Sequence, residues 1–161
     1  MSKSAFRKEI ATMTDEQLRQ MLLDAYDASP VMKEYFDFFL NPDVEAKLDK
    51  ASKLVIKELN RTHWGTSNAR VTVFKKIIKD FAGLKPGAEA ELDMMMLVLR
   101  LVAGADRYLN LKPTHERFIA TLAQNILKWA DKNQMTAEAV GHLTALTQSS
   151  ELRPPHAQFH H

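Results

Sequence analysis

The sequence predicts an all-α protein, and three observations carry that expectation. Apolar residues recur at helical spacing, helix-start signals recur between the apolar runs, and turn formers are scarce, with 5 Gly and 6 Pro in 161 residues. An all-β chain needs many more turn residues. The length suits a single domain with a real core. An apolar share of 45% with 26% charged residues is ordinary for a globular chain. About eight helices are expected, near 3–12, 15–28, 30–40, 42–59, 67–82, 87–109, 114–131 and 136–148. Short connections favour antiparallel hairpins, which fit either a single bundle or a short irregular α-solenoid-like array. Residues 1–148 are expected to form one helical domain. Residues 149–161 hold Pro154-Pro155 and no periodicity, and read as a flexible tail.

The elements follow in order. The first helix carries charges and no apolar core, so no signal peptide is expected. Thr14-Asp15-Glu16-Gln17 is a capping-box pattern that opens the second helix. Leu18, Met21, Leu22, Ala25 and Tyr26 then give it an apolar stripe. Ser29-Pro30 and Asn41-Pro42 each place a cap before a proline, which suits the first helical position. The third helix holds Tyr35, Phe36, Phe38 and Phe39, too many aromatics for one face. Some of them must meet a second layer or a partner, and an exposed one marks an interface. In the fifth helix Val71, Phe74, Ile78 and Phe81 keep helical spacing, which overrules a strand at 70–74. Thr66 and Ser67 are its cap candidates, and Gly83 reads as its C-cap. The sixth is apolar almost all round and should be central, with Met94-Met95-Met96 as core filling. Glu89, Asp93, Arg100 and Arg107 form one polar seam along it. Thr114 and Thr136 are cap candidates for the last two helices. The apolar stretch 94–105 is interrupted by Arg100 and is too short to cross a bilayer, so no membrane association is expected.

Charge is distributed unevenly. Residues 14–49 hold nine acids and three bases, a net −6, whereas 53–79 hold seven bases and one acid, a net +6. The whole chain, at +2, conceals the split. Within the basic block, the stretch 60–70 reads as a loop entering a helix. Arg61, His63 and Arg70 flank that helix start and are candidates to receive a phosphate or carboxylate. Trp64 is placed to stack on a ring. On the helix itself Lys75, Lys76 and Lys79 fall opposite the apolar side, while Arg70 projects with that side and needs a partner. A carboxylate from the acidic block is the expected partner, and a bound anion is the sharper possibility.

Catalytic and cofactor signatures do not emerge. Cys is absent, the five glycines never cluster, and the six histidines form no short-spaced pair with a carboxylate. His156, His160 and His161 sit in the expected tail. Neither a catalytic residue nor a metal or cofactor is assigned. Absence of Cys suits a reducing cytoplasm.

Lys33-Glu34-Tyr35-Phe36-Asp37-Phe38-Phe39-Leu40-Asn41-Pro42, Asn68-Ala69-Arg70 and Lys75-Lys76-Ile77-Ile78-Lys79-Asp80-Phe81 together resemble a family of uncharacterised bacterial all-helical proteins, over roughly residues 1–110. The resemblance implies a helical, bacterial, cytoplasmic protein and carries no activity. The leading expectation is a non-catalytic interaction or scaffold protein with a protein partner. The alternative is an anion or nucleic-acid binder using Arg61, His63, Trp64, Arg70, Lys75, Lys76 and Lys79. A third reading, an enzyme, would require a cleft joining Arg70 or Arg100 to paired acids.

Overall fold

The computed structural model describes residues 1–151, and eight α-helices account for most of them. The all-α expectation holds. The chain divides into two compact units, Met1–Asp43 and the residues from Val44 onward.

The first unit holds α1 (Lys3–Ala11), α2 (Asp15–Ala28) and α3 (Pro30–Leu40), with α2 packed on α3. Its starts are those the sequence marks. Thr14 Oγ1 accepts from the Gln17 amide at 3.2 Å, and Gln17 Oε1 accepts from the Thr14 amide at 2.9 Å. Ser29 Oγ accepts from the Met32 amide at 3.2 Å, with Pro30 as the first helical residue. These bonds satisfy amides that a helix start leaves open. Asn41-Pro42 acts differently from the expectation: Asn41 closes α3, Pro42 lies in the connection, and the next helix begins at Val44. The core of this unit is thin. No residue of α1 or α2 is fully buried, and α3 buries Phe38.

The second unit holds α4 (Val44–Leu59), the two-residue strands β1 (Thr62–His63) and β2 (Thr66–Ser67), α5 (Val71–Gly83) and α6 (Ala88–Gly104). A 3₁₀ turn (Ala105–Arg107), α7 (Pro113–Lys132) and α8 (Thr136–Glu151) follow. Helix α6 packs against α4, α5, α7 and α8. This is a bundle around a central helix; in a solenoid each hairpin would meet only its neighbours. Four surrounding helices explain why α6 is apolar on all but one narrow face. Met94, Met95 and Met96 are all buried, as are Leu92, Val98, Leu99 and Val102. The rings of Phe74 (α5) and Phe118 (α7) lie 5.6 Å apart at 37°. The polar seam reaches water: Glu89, Arg100 and Arg107 are exposed and Asp93 is half-buried.

Several boundaries differ from expectation for identifiable reasons. α5 starts at Val71, later than the expected 67, because Thr66 and Ser67 are taken up in β2. It ends through Lys85, whose φ of 55° provides the left-handed turn assigned to Gly83. α7 is preceded by Lys112 at the N-cap, so Thr114 lies inside the helix. Gln134, with φ 58°, and the Met135 amide bonded to the Ala130 carbonyl at 2.9 Å end α7. Thr136 is already helical. Residues 149–151 complete α8, and the rest of the expected tail, with His156, His160 and His161, lies outside the described residues.

Candidate functional site

The basic stretch that reads as a loop folds as a β-hairpin. Thr62 pairs with Ser67 and His63 with Thr66, leaving Trp64-Gly65 as a two-residue turn. Both turn residues have positive φ, 51° and 75°. That is the hand of turn that matches strand twist, and it is best filled by Asn-Gly. Trp64 is thus held in the left-handed region, which disfavours it, with its side chain 90% exposed and its ring edge-on to His63 at 5.8 Å. The hairpin is anchored from behind. The Ser67 amide donates to the Asn110 carbonyl and the Asn110 amide to the Gly65 carbonyl, each at 2.9 Å. Buried Ser67 donates its hydroxyl to the Leu59 carbonyl at 2.7 Å and accepts from the Ala69 amide at 3.2 Å.

Glu58 lies beneath the start of α5, buried at the end of α4. The Arg70 guanidinium grips it at both oxygens, Nε to Oε1 at 2.9 Å and Nη2 to Oε2 at 3.0 Å. The Arg70 amide adds a third bond at 2.8 Å, and Arg61 Nη1 a fourth at 2.9 Å. Arg70, first of all, and then Arg61 hold the Glu58 carboxyl down to about 2, against the opposing effect of burial. The same pairing raises the Arg70 guanidinium pKa. Two expectations change. Arg70's partner is Glu58, the lone acid of the basic block, and not an acid from 14–49. The buried partner is the carboxylate: the Arg70 side chain is 61% exposed.

His115 secures the other side. Its ring is buried, Nδ1 accepts from the Lys112 amide at 3.1 Å, and Nε2 stands 2.9 Å from the Ala69 carbonyl. An accepting Nδ1 fixes the proton on Nε2, which donates to Ala69. His115 therefore fills the third position of α7 as Glu or Gln does in a capping box. Lys112 Nζ also bonds Asn68 Oδ1. Among the described residues no buried side-chain nitrogen or oxygen lacks a partner.

The seven residues proposed from sequence do not form one site. Arg61 and Arg70 meet on Glu58, and His63 and Trp64 form the hairpin tip. Lys76 faces away, paired with Asp80 at 2.5 Å. Lys75 and Lys79 border a groove of about 550 Å³ between α5 and α7, opposite Arg117. No three His, Asp or Glu side chains among the described residues are grouped as a metal ion would require. No helix among them is long and apolar enough to cross a membrane.

A second groove, about 870 Å³, lies between α2 and α3 in the first unit. Leu22, Leu23, Phe39 and Leu40 line it and are 50, 61, 68 and 79% exposed. Tyr35 stacks on Phe39 at 6.4 Å. The Tyr26 hydroxyl donates to Asp37 Oδ1 at 2.9 Å, which ties the two helices together and raises the phenol's pKa. Sequence reading flagged the α3 aromatics but placed Leu22 on the packed stripe.

Sequence reading also missed Glu58 and Arg117. Glu58 left a signal, because Ala51, Val55, Glu58 and Leu59 form the buried stripe of α4 at helical spacing. Arg117 left none, since its relation to Lys75 exists only once α5 and α7 are side by side.

A family model matches residues 1–149, further along the chain than the stretch that carries the resemblance. It describes a family of unknown function, DUF6155. No curated protein and no solved structure matches the chain. With nearly its whole length matched, and with the helical fold the resemblance implies, the chain belongs to the DUF6155 family of unknown function.

Proposed function

We propose that this chain is a non-catalytic protein-binding module and that its partner presents a cationic amphipathic helix to the α2–α3 groove. The observation that carries the reading is the run of exposed Leu22, Leu23, Phe39 and Leu40 along one groove. Contiguous apolar surface of this kind is the usual mark of an interface, and a helix laid in an apolar groove is a common recognition mode. Charge selects the occupant. Helices α2 and α3 carry Asp15, Glu16, Asp24, Asp27, Glu34 and Asp37 against Arg19 and Lys33, a net −4. That field attracts a basic helix and repels an anionic lipid surface.

A fluorescent Leu/Lys amphipathic peptide of about 14 residues, ~21 Å of helix, tests this by anisotropy against the full chain. Saturable binding is expected, weakened at least about tenfold by Leu23→Gln with Phe39→Gln, as for central interface contacts. Both side chains are largely exposed, so the fold should persist. The same peptide with Glu for Lys is expected not to bind. Equal binding of both peptides, or no effect of the two substitutions, contradicts the reading.

A further inference from the structure

We propose that the groove between α5 and α7 binds an anionic amphiphile: a single apolar chain ending in a carboxylate or phosphate. The site lies in the second unit and does not depend on the α2–α3 reading.

The two helices supply the two halves of such a site. Val71, Ile78 and Ala82 of α5 face Phe118 and Leu122 of α7 across the groove, with Met95 of α6 beneath. These six side chains make an apolar floor. The volume, about 550 Å³, falls within the roughly 300–1,000 Å³ of small-molecule sites. The polar groups stand along the edges: Lys75 and Lys79 on α5, Arg117 on α7. None of the lining residues is acidic.

These three cations share one groove, and nothing neutralises them. Lys75 and Lys79 have no Asp or Glu three or four residues away in either direction, and neither has Arg117. Their neighbours differ. Lys76 pairs with Asp80, Lys53 with Asp49, and Arg61 and Arg70 with Glu58. Among the described residues no ion pair involves Lys75, Lys79 or Arg117. Three unpaired cations around one apolar groove create a local positive potential that recruits an anion. The stems of Lys75 and Lys79 extend the apolar wall while their ammonium groups reach the rim.

The helices are also set for it. His115, near the start of α7, bonds the Ala69 carbonyl just before α5, so the two helices start side by side. Lys75 and Arg117 then each stand about one turn into their helices, with Lys79 a turn further along α5. An anionic head bridges these cations while its chain follows Ile78, Phe118 and Leu122 inward. Nucleic acid fits less well, because its backbone would cover an apolar floor with phosphates, and the exposed Trp64 suited to stacking does not line this groove.

The test is isothermal titration of the full chain with dodecanoate and with dodecyl phosphate, each below its micellar concentration. Dodecanol and inorganic phosphate are the single-feature controls. Saturable one-to-one binding of both amphiphiles is expected, at least about tenfold tighter than either control. Combined Lys75→Gln, Lys79→Gln and Arg117→Gln should weaken it at least about tenfold. Lys50→Gln, Lys53→Gln and Lys57→Gln on α4 remove the same charge elsewhere and should leave it unchanged. Thr121→Trp, which fills the groove from an exposed position, should abolish it. Amide shifts in the native chain should centre on Ile78 and Phe118. The proposal is overturned by no binding of either amphiphile, by equal losses in the two lysine-containing triples, or by retained affinity in Thr121→Trp. It is equally overturned if the chain sediments with anionic vesicles or holds an acidic peptide while ignoring the monomeric amphiphiles.

Discussion

A carboxylate buried at the end of α4 stays ionised only if it is paired; unpaired, it would take up a proton. Glu58 accepts four hydrogen bonds from Arg61 and Arg70, two of them forming a fork. Glu58→Gln keeps the shape and removes the charge. It should cost about 1.5–3 kcal/mol in urea unfolding, the usual worth of charged hydrogen bonds. Arg61→Ala should cost under about 1 kcal/mol, since that side chain is half exposed. The pH dependence has a definite sign. The carboxyl is lowered from its usual 4.5 to about 2 in the fold, so its stabilisation is complete above 4.5 and fades as pH falls towards 2. Urea midpoints measured across that window should drop in the native chain, and Glu58→Gln should remove this component. Trp64 offers the opposite case. Its φ of 51° suits Asn better, so Trp64→Asn should raise stability by about 1 kcal/mol. At this scale the sequence revealed that Arg70 needed a partner but not which one. Charge counting pointed to the richest source of acids, whereas pairing followed from the one acid on the buried stripe of α4.

At the scale of elements, helix starts were legible where one local hydrogen bond decides them. Thr14 and Ser29 act as caps because each bonds an amide three residues ahead. Thr14→Ala should therefore cost about 1 kcal/mol, read as a shift in thermal midpoint. The start of α5 was misplaced because partners distant in sequence decide it, whereas α7 begins one residue from expectation on the local bond from the Lys112 amide to His115. Ser67 and Gly65 pair with Asn110, and His115 reaches Ala69. No periodicity within a short window contains those bonds. Gly65 was the one local hint of the hairpin, a glycine where a two-residue turn needs positive φ. His115→Leu would strand the Lys112 amide and the Ala69 carbonyl, and should destabilise by about 2–4 kcal/mol. Hydrogen exchange should then accelerate at Ala69 and at the first turn of α7.

At the scale of the molecule, each unit is stabilised differently. From Val44 onward, a core of Val55, Leu59, Phe74, Leu99, Phe118 and Ile126 is closed around α6. That centre was legible, since a helix apolar almost all round has to be surrounded. Leu99→Ala should cost about 2–5 kcal/mol. The first unit buries little within its helices and presents an apolar groove instead. The acidic and basic blocks thus have separate consequences: one lends the α2–α3 groove its negative field, the other supplies Glu58's partners and the rim of the α5–α7 groove. The proposed ligand of the α2–α3 groove is a cationic helix. The most direct test is ¹⁵N–¹H chemical-shift mapping of the full chain titrated with the Leu/Lys peptide. The expected result is saturable shifts at Leu22, Leu23, Tyr26, Tyr35, Phe39 and Leu40. Shifts confined to residues outside α2 and α3, or none at all, would contradict it.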